Sequence, residues 1–335
     1  MSLASVKQRF FYCCCCLLIA LPASASDGLE FITLTVENDI IAGDDGGYTN
    51  GIAVSWAKGD FAEFNDDNLP AWLNRLAQST YIANMPDKRR AVSYLVGQGM
   101  QTTSDITVKE RVLDEPSYAG LLLWRSTLHA FDSQLADRLS LTLGIVGPLS
   151  AAEPAQKTVH DITGSEDPQG WKYQLDNEPV FQFKALRNWR VAQGEILGRE
   201  YDIITSGEAG IGNLQSALGL GVGFRWGRGL LRAFPSYSAM PGREVNALAG
   251  YKTISWQLFI NLLGRYTFND IAIDGNTFKD NSTVKLKHEN AIVSWGVAFN
   301  VGNWGVLMSM ARSSDLFQGQ QEPNRFGSAS LTYHF

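Results

Sequence analysis

The sequence predicts an all-β fold, a single twelve-stranded antiparallel transmembrane β-barrel with a short helix in one extracellular loop. Three observations support this fold class. Short segments with apolar residues at every second position recur along the chain, and the last ten residues form such a segment that ends on the aromatic Phe335. Beyond the N-terminus, no apolar run approaches the roughly 18 residues that a membrane-spanning helix needs.

Residues 1–25 are predicted to be a secretory signal peptide. Lys7 and Arg9 precede the apolar stretch Phe10–Leu21, and Ala23–Ala25 fits a small-residue cleavage site. All four cysteines lie in this segment, so residues 26–335, the predicted barrel domain, contain none. Without the signal the net charge is −8. No basic patch indicates a nucleic-acid partner.

The strand prediction rests on period-two alternation. The clearest segment is 215–226, where large apolar residues alternate with glycines and one arginine, as a strand between lipid and lumen requires. Residues 245–251 could add a thirteenth strand, but single-chain bacterial barrels have even strand numbers, so they are assigned to a connection. The twelve candidates are 29–38, 48–57, 91–99, 118–129, 138–147, 178–187, 197–210, 215–226, 254–268, 285–300, 303–312 and 326–335.

The even strand count, with both termini in the periplasm, predicts the side of each connection. Connections after odd-numbered strands face outward, so 39–47 and 148–177 are expected to be extracellular. The periplasmic connection 58–90 contains an amphipathic stretch near 69–76, which predicts a small interfacial helix. The aromatic end of the last strand, at Phe335, is typical of outer-membrane barrels read by the barrel assembly machinery.

A polar block at the first hairpin interrupts this pattern. Alternation points Glu37, Asp39 and Thr49 into the lumen and leaves Tyr48 outside at the membrane interface. Asn38 would face lipid, where an unpaired amide is costly, so we expect a bulge or the strand end to turn it inward. The alternative is that Asn38 and Asp39 only begin a turn.

A second polar cluster lies in the connection after the fifth strand. Ser150 and Glu153 have capping-box spacing and predict a helix over about 151–163, with Ser150 as N-cap and Gly164 as terminator. Gln156 and His160 are four residues apart and share a helical face. Val159 and Ile162 are expected to pack the helix down.

The available groups favour one kind of chemistry. There is no Gly-x-Ser-x-Gly elbow, phosphate loop or His-Glu-x-x-His motif, and no cysteine follows the signal. What remains is a histidine base, at His160, together with carboxylate and amide oxygens that suit a hard cation such as Ca²⁺. This set suits hydrolysis of an ester.

With these residues in view, the chain resembles the lipid A 3′-O-deacylase (LpxR) family of Gram-negative outer membranes. Taken in order, the shared motifs are specific. The resemblance covers nearly the whole mature chain and is densest over residues 34–185. The shared motifs are Glu37-Asn38-Asp39, Gly47 to Gly51, Tyr118-Ala119-Gly120, Leu143 to Pro148, Gln156 to His160, Gly164 to Trp171, and Asn177-Glu178-Pro179.

The resemblance implies a Ca²⁺-dependent enzyme that removes the 3′-linked acyloxyacyl chain from lipid A of lipopolysaccharide in the outer leaflet. It implies that Asn38 and Asp39 are an essential pair placed to hold the metal, and that Thr49 and His160 are also catalytic. By spacing, Gln156 and Glu166 resemble substrate-pocket residues, and Lys109 is the nearest counterpart of a family lysine. Gly99 stands where the family often has an aspartate.

Two other functions remain open at this stage. A passive barrel, either a narrow channel or a surface-binding protein, would use the same polar groups as lumen lining or as a structural Ca²⁺ site. A Ca²⁺-dependent phospholipase barrel would pair a serine nucleophile with a histidine, and no serine stands out in the sequence.

Overall fold

The computed structural model describes residues 30–38, 48–243, 254–321 and 323–335, apart from the side chains of residues 48–50, 60 and 163. In this part of the chain, twelve antiparallel strands form one closed barrel in which β1 pairs with β12. The fold class and the strand count predicted from the alternation are therefore confirmed.

The bounds of eleven strands lie within four residues of the predicted segments, and the sixth strand extends nine residues beyond its predicted end. The strands are β1 (Phe31–Asn38), β2 (Tyr48–Phe61), β3 (Arg89–Gln101), β4 (Ala119–Phe131), β5 (Leu135–Val146), β6 (Glu178–Ile196), β7 (Arg199–Ile211), β8 (Gln215–Arg228), β9 (Ser255–Asp270), β10 (Glu289–Val301), β11 (Trp304–Ser313) and β12 (Arg325–His334). The α-helices are α1 (Ala71–Gln78), α2 (Ala152–Thr163), α3 (Leu230–Ala233) and α4 (Ile271–Asp274).

The alternation of β8 shows how the sequence builds the wall. Leu218 and Leu220 are exposed on the outer face, as lipid contact requires. The glycines between the apolar residues face inward, and they leave room for the barrel contents. A Cβ on Gly223 would lie 2.2 Å from the Tyr237 hydroxyl oxygen. The small inward row is therefore needed because chain fills the lumen at this height.

The chain inside the barrel is the lumen segment, residues 229–243, which follows β8. Inward-facing side chains hold its backbone. Arg138 donates through Nη2 to the carbonyls of Pro235 and Tyr237, both at 2.8 Å, and the Ser294 hydroxyl donates to the Ala239 carbonyl at 2.9 Å. Residues 245–251, assigned from the sequence to a connection, lie outside the described residues.

The start of the lumen segment is held by a buried charge cluster. Asp202 accepts from Arg225 through both carboxylate oxygens, at 2.6 and 2.9 Å, and from Arg190 at 3.1 Å. Both arginines also donate to the carbonyl of Leu230, the first residue of α3. Buried charges need this degree of pairing to be tolerated, so the cluster fixes both the wall and the lumen segment.

The up-and-down topology separates two ends of the barrel. The connections after odd-numbered strands, at 102–118, 147–177 and 271–288, gather at what we call the loop end. The connections after even-numbered strands include the short turns 132–134, 197–198 and 302–303. The segment 62–88 at this opposite end contains α1, which corresponds to the helix predicted near 69–76. None of the helices in the described residues is long and apolar enough to cross a membrane.

The loop helix α2 is present, but two details of its prediction are wrong. Ser150 is not its N-cap. It belongs to a short 3₁₀ turn, and Ala151 takes the N-cap position in a left-handed conformation with φ 55°, without a side-chain cap. Ile162 does not pack the helix down, because it is 50% exposed. Gly164 ends the helix with φ 72°, as predicted. The signal peptide predicted for residues 1–25 lies outside the described residues.

Candidate active site

The helix α2 lies on the outer face of the barrel wall. Thr33, Thr35 and Leu95 line the interior cavity, so alternation directs Met100 outward on β3 and its strand partner Gly120 outward on β4. Met100 packs in one cluster with α2 residues and with other loop residues of the loop end. The helix α2 and the wall residues that it covers therefore lie outside the lumen, to which the sequence assigned the polar block of the first hairpin.

Close contacts seat the start of α2 on the wall. A Cβ on Gly120 would lie 2.3 Å from the Ser150 hydroxyl oxygen and 2.5 Å from the Cβ of Ala152, so only glycine fits there. The Gln98 amide, also on the outer face by alternation, donates to the Ser150 carbonyl at 2.6 Å. Gly147, with φ 101°, makes the turn that carries the chain from β5 onto this surface.

His160 lies in the last turn of α2, and its ring orientation is set by the chain that follows. The left-handed Gly164 reverses the backbone, and the amides of Gly164 and Ser165 donate to the His160 carbonyl at 2.7 and 3.1 Å. This turn brings the Glu166 carbonyl oxygen to 2.5 Å from His160 Nδ1. A carbonyl only accepts, so Nδ1 carries the hydrogen of this bond, and Nε2 is the ring nitrogen that can act as a base.

Gln156 contacts Trp171 through its buried side chain, and Glu166 contacts His160 through its backbone carbonyl. The Gln156 side chain is fully buried, and its Oε1 accepts from the Trp171 indole at 2.8 Å. Trp171 packs edge-on against Tyr118, with ring centroids 5.2 Å apart. The Glu166 side chain is exposed, and its contact with His160 is made by the carbonyl. Direct contacts of Gln156 and Glu166 with a substrate stay predictions.

Burial in this cluster also affects Tyr118, which precedes β4. Removal from water raises the pKa of the Tyr118 hydroxyl above its usual value. The phenol therefore stays protonated at any pH where the barrel would work. Lys109 lies in the neighbouring connection and is exposed. The backbone N–H of Gln169 donates to the Ile106 carbonyl at 2.8 Å, which joins that connection to the chain after His160.

Asn38 lies on the same outer face as α2. It pairs in regular register with Gly327 on β12 and with Asn50 on β2, and its side chain is only 8% exposed. Asn50 in turn pairs with Met100, beneath α2. Two strand spacings, about 10 Å, separate the Cα atoms of Asn38 and Met100. The expected inward turn of Asn38 is therefore wrong, and it is not needed to bring Asn38 towards α2.

The irregularity predicted for β1 occurs on β2 instead. Tyr48 pairs with Gln101 and Asn50 with Met100, so Thr49 is the additional residue of a β-bulge. A bulge shifts the alternation by one residue. The sorting of Tyr48 outward and Thr49 inward assumed an unbroken alternation, and that assumption fails at this bulge. Asp39 lies outside the described residues, as does the Thr49 side chain.

The Glu37 side chain faces the lumen, on the opposite side of the wall from that of Asn38. Its carboxylate accepts from Arg243 Nε at 3.2 Å, and the guanidinium of Arg243 lies 4.3 Å from the Phe326 ring centroid. A Cβ on Gly242 would lie 2.1 Å from the Ser328 hydroxyl oxygen. The end of the lumen segment thus braces β1 and β12 from inside, directly behind Asn38.

Comparison with known proteins identifies the family of the chain. The family model described as outer membrane protein LpxR matches residues 10–335. The chain belongs to the LpxR family. The structure titled LpxR from Salmonella typhimurium superposes with a TM-score of 0.75 at 16% sequence identity, covering 91% of this chain and 100% of that one. At this identity the match shows a shared fold.

Other barrels match less closely. The β domain of the Bordetella autotransporter BrkA has a TM-score of 0.46 at 10% identity and covers 92% of this chain and 100% of that one. The translocator domain of NalP from Neisseria meningitidis has a TM-score of 0.41 at 11% identity, over 99% and 97% of the two chains. A search of curated protein sequences finds no match.

The sequence patterns gave no role to several residues that build the candidate site. Gly120, Tyr118 and Trp171 all fall in motifs of the family resemblance, yet no role followed from the motifs alone. Gly120 seats α2, and the two aromatic residues pack beneath it. The available signal was a small residue in an outward strand position next to a loop helix. This signal becomes readable only when the face of the wall that carries the helix is known.

Proposed function

We propose that this LpxR-family barrel is an ester hydrolase that removes the 3′-linked acyloxyacyl chain from lipid A in the outer leaflet. The observation that carries the proposal is His160, held by the Glu166 carbonyl with Nε2 as its basic atom, on the lipid-facing side of the wall. A base in that place meets membrane lipids directly. Asn38 lies on the same face and supplies a covered amide.

His160 acts as a general base in this mechanism. Its Nε2 takes a proton from water, and the water oxygen adds to the ester carbonyl carbon. The bond from that carbon to the 3′ oxygen then breaks, and the imidazolium returns the proton to the departing oxygen. The products are the acyloxyacyl chain as a free carboxylic acid and lipid A with a free 3′ hydroxyl. General base catalysis of this kind contributes about 10²–10⁴ in rate. Thr49 is proposed to orient the ester carbonyl or the metal.

Ca²⁺ is the proposed cofactor. Among the described residues, no group of three or more His, Cys, Asp or Glu side chains could hold a metal. We propose that Asn38 and Asp39, together with further oxygens, hold this ion, because amide and carboxylate oxygens suit a hard cation. When bound, Ca²⁺ polarises an ester carbonyl and stabilises the oxyanion.

Two observations weaken the alternatives. The lumen segment occupies the barrel interior, which opposes a wide channel. A Ser–His hydrogen bond exists between Ser93 and His129, at 2.8 Å, as a serine-dependent phospholipase would need. Both side chains are at most 2% exposed, and alternation places Ser93 on the inner face with Leu95. Membrane lipids cannot reach that pair.

The test compares lipid A from cells that express the full chain with lipid A from cells carrying an empty vector. Mass spectrometry is expected to show loss of the 3′-linked acyloxyacyl mass only with the intact protein, and His160→Ala is expected to abolish it. Asp161→Asn, an exposed neighbour on α2, serves as the matched control and retains activity. Unchanged lipid A in cells with correctly inserted wild-type barrel rejects the proposal.

Metal removal gives a separate prediction. Purified protein in detergent micelles with lipid A is expected to lose deacylation when EGTA is added and to recover it with excess Ca²⁺. Mg²⁺ should not substitute, because it requires a smaller octahedral site and keeps its waters. Full activity in EGTA contradicts the metal assignment and leaves the role of His160 standing.

The position of the C-terminus adds a proposal about assembly. The Phe335 amide donates to the Glu30 carbonyl at 3.1 Å, next to the closure of β12 on β1. We propose that the barrel assembly machinery recognises this last strand and its terminal aromatic residue.

A further inference from the structure

An aromatic cluster lies on the outer wall below α2. Trp56 stacks on Tyr94 with ring centroids 5.7 Å apart, and Tyr94 stacks on Trp124 at 6.4 Å. Trp72 of α1 joins them, 5.9 Å from Trp124. We call these four residues the aromatic shelf. Three of them lie on the neighbouring strands β2, β3 and β4. The fourth, Trp72, lies on a helix at the opposite end of the barrel from α2.

The depth of the shelf is unusual for aromatic residues. Tyr94 lies six residues along β3 from Met100, on which α2 rests. Six residues span about 20 Å of strand, or about 15 Å of height at a barrel tilt near 40°. This is about half of a 30 Å hydrocarbon core. Trp and Tyr normally prefer the two interfaces, so rings at half depth need a separate explanation.

The far side of the barrel shows the ordinary pattern. On β9, Trp256 and Tyr266 are ten residues apart, which is about 25 Å of height. Between them Leu258, Ile260 and Leu262 are each about half exposed to lipid. The aromatic rows on this side therefore flank a full apolar band, whereas the shelf divides the band below α2.

The helix α1 closes the wall beneath the shelf. Its Leu73 and Ala77 pack on outward residues of β3 and β4, including Val92 and Leu128. Its other face carries the exposed Arg75. A charged residue is costly in hydrocarbon, so α1 marks where the apolar surface ends on this side. Above it, the open wall is a strip formed by Val54, Val96 and Leu122, each close to 40% exposed.

We propose that this strip, from α2 down to the aromatic shelf, is the docking surface for the acyl chain that the site cleaves, and that the shelf sets the longest chain accepted. The inference rests on the proposed function. An ester held beneath α2 directs its chain down the wall, and an outer-leaflet chain reaches about half of the core. The chain end then meets Trp72 and Trp124, and additional methylenes have no apolar wall to cover.

The test measures how deacylation depends on chain length. Lipid A preparations whose 3′ chains differ in steps of about two methylenes are mixed into vesicles of one phospholipid composition. Wild-type kcat/KM is expected to rise with chain length while the chain gains packing contacts with the strip, and then to fall beyond an optimum. Trp72→Ala should move the optimum to longer chains by one step of the series and speed cleavage of the longest chain relative to the wild type. Trp124→Leu should do the same.

Controls separate the possible failures. Trp256→Ala, in an aromatic pair with Trp226 on the far side, removes a comparable ring and is expected to leave the optimum unchanged. Trp72 is 47% exposed, so its replacement should leave the fold intact, which heat-modifiable migration on a gel verifies. An active Trp72→Ala barrel with the wild-type length profile overturns the inference. A wild-type barrel that removes no acyl chain of any length overturns the proposed function instead.

Discussion

Gly120→Val is expected to abolish deacylation while leaving the barrel folded. The new side chain would overlap the Ser150 hydroxyl and the Cβ of Ala152, and both belong to the backbone turn that begins α2. Relief requires α2 to move away from β4, and a misplacement of about 1 Å can cost 10²-fold in rate. We expect a loss of at least about 10²-fold in lipid A deacylation, measured by mass spectrometry of purified reactions.

The matched control for this change is Gly264→Val. Gly264 is also an outward glycine in a strand, on β9, and a Cβ there meets nothing closer than 3.9 Å. Valine favours strands, so this variant should fold and keep wild-type activity. Full activity in folded Gly120→Val would show that α2 need not lie on the wall, and would remove the structural basis for the role of His160.

The wall could be predicted from sequence because one physical pattern dominates it. A strand between lipid and lumen must alternate, and segments such as Leu218 to Trp226 do so without interruption. The even strand number then excluded 245–251. The same reasoning also separated inward Glu37 from outward Val36, and the ion pair of Glu37 with Arg243 inside the barrel agrees with it.

Alternation alone could not locate the candidate site, because the site also depends on a bulge in β2 and on a loop helix, neither of which alternation describes. The bulge at Thr49 inserts one residue, and nothing in the local sequence indicates which strand of the hairpin carries it. The start of α2 could not be predicted from local sequence either. Ser150 has the right spacing for a cap, but the close approach to Gly120 buries it in a turn and gives Ala151 the left-handed position.

The face of the wall on which Asn38 lies was predicted wrongly, and the cause is physical. Polar residues at a barrel rim usually turn to the lumen, since an unpaired amide in hydrocarbon is costly. That rule fails at Asn38 because its side chain is covered even though it lies on the outer face. Contacts between a loop and the outside of a barrel connect residues far apart in sequence, such as Gln98 and Ser150. No local pattern encodes them.

Asp202→Asn is expected to be the most destabilising single change in the barrel wall. The side chains of Asp202, Arg190 and Arg225 are each at most 2% exposed, and the carboxylate is the charge partner of both guanidinium groups. The substitution keeps the shape and leaves two buried positive charges beside a neutral amide. Removing one partner of a buried pair costs about 3–5 kcal/mol. Urea unfolding of the barrel in detergent or vesicles should show a loss of this size.

Asp315→Asn is the matched control for this loss. Asp315 pairs with Lys287 at 3.0 Å, but both side chains are more than 40% exposed. Exposed pairs contribute about 1 kcal/mol or less, so its unfolding midpoint should stay close to that of the wild type. Similar stability of the two variants would mean that water screens the Asp202 cluster. The ion pair between Arg243, at the far end of the lumen segment, and Glu37 braces β1 behind Asn38. If Asp202→Asn loosens the lumen segment enough to break this pair, deacylation should fall together with stability.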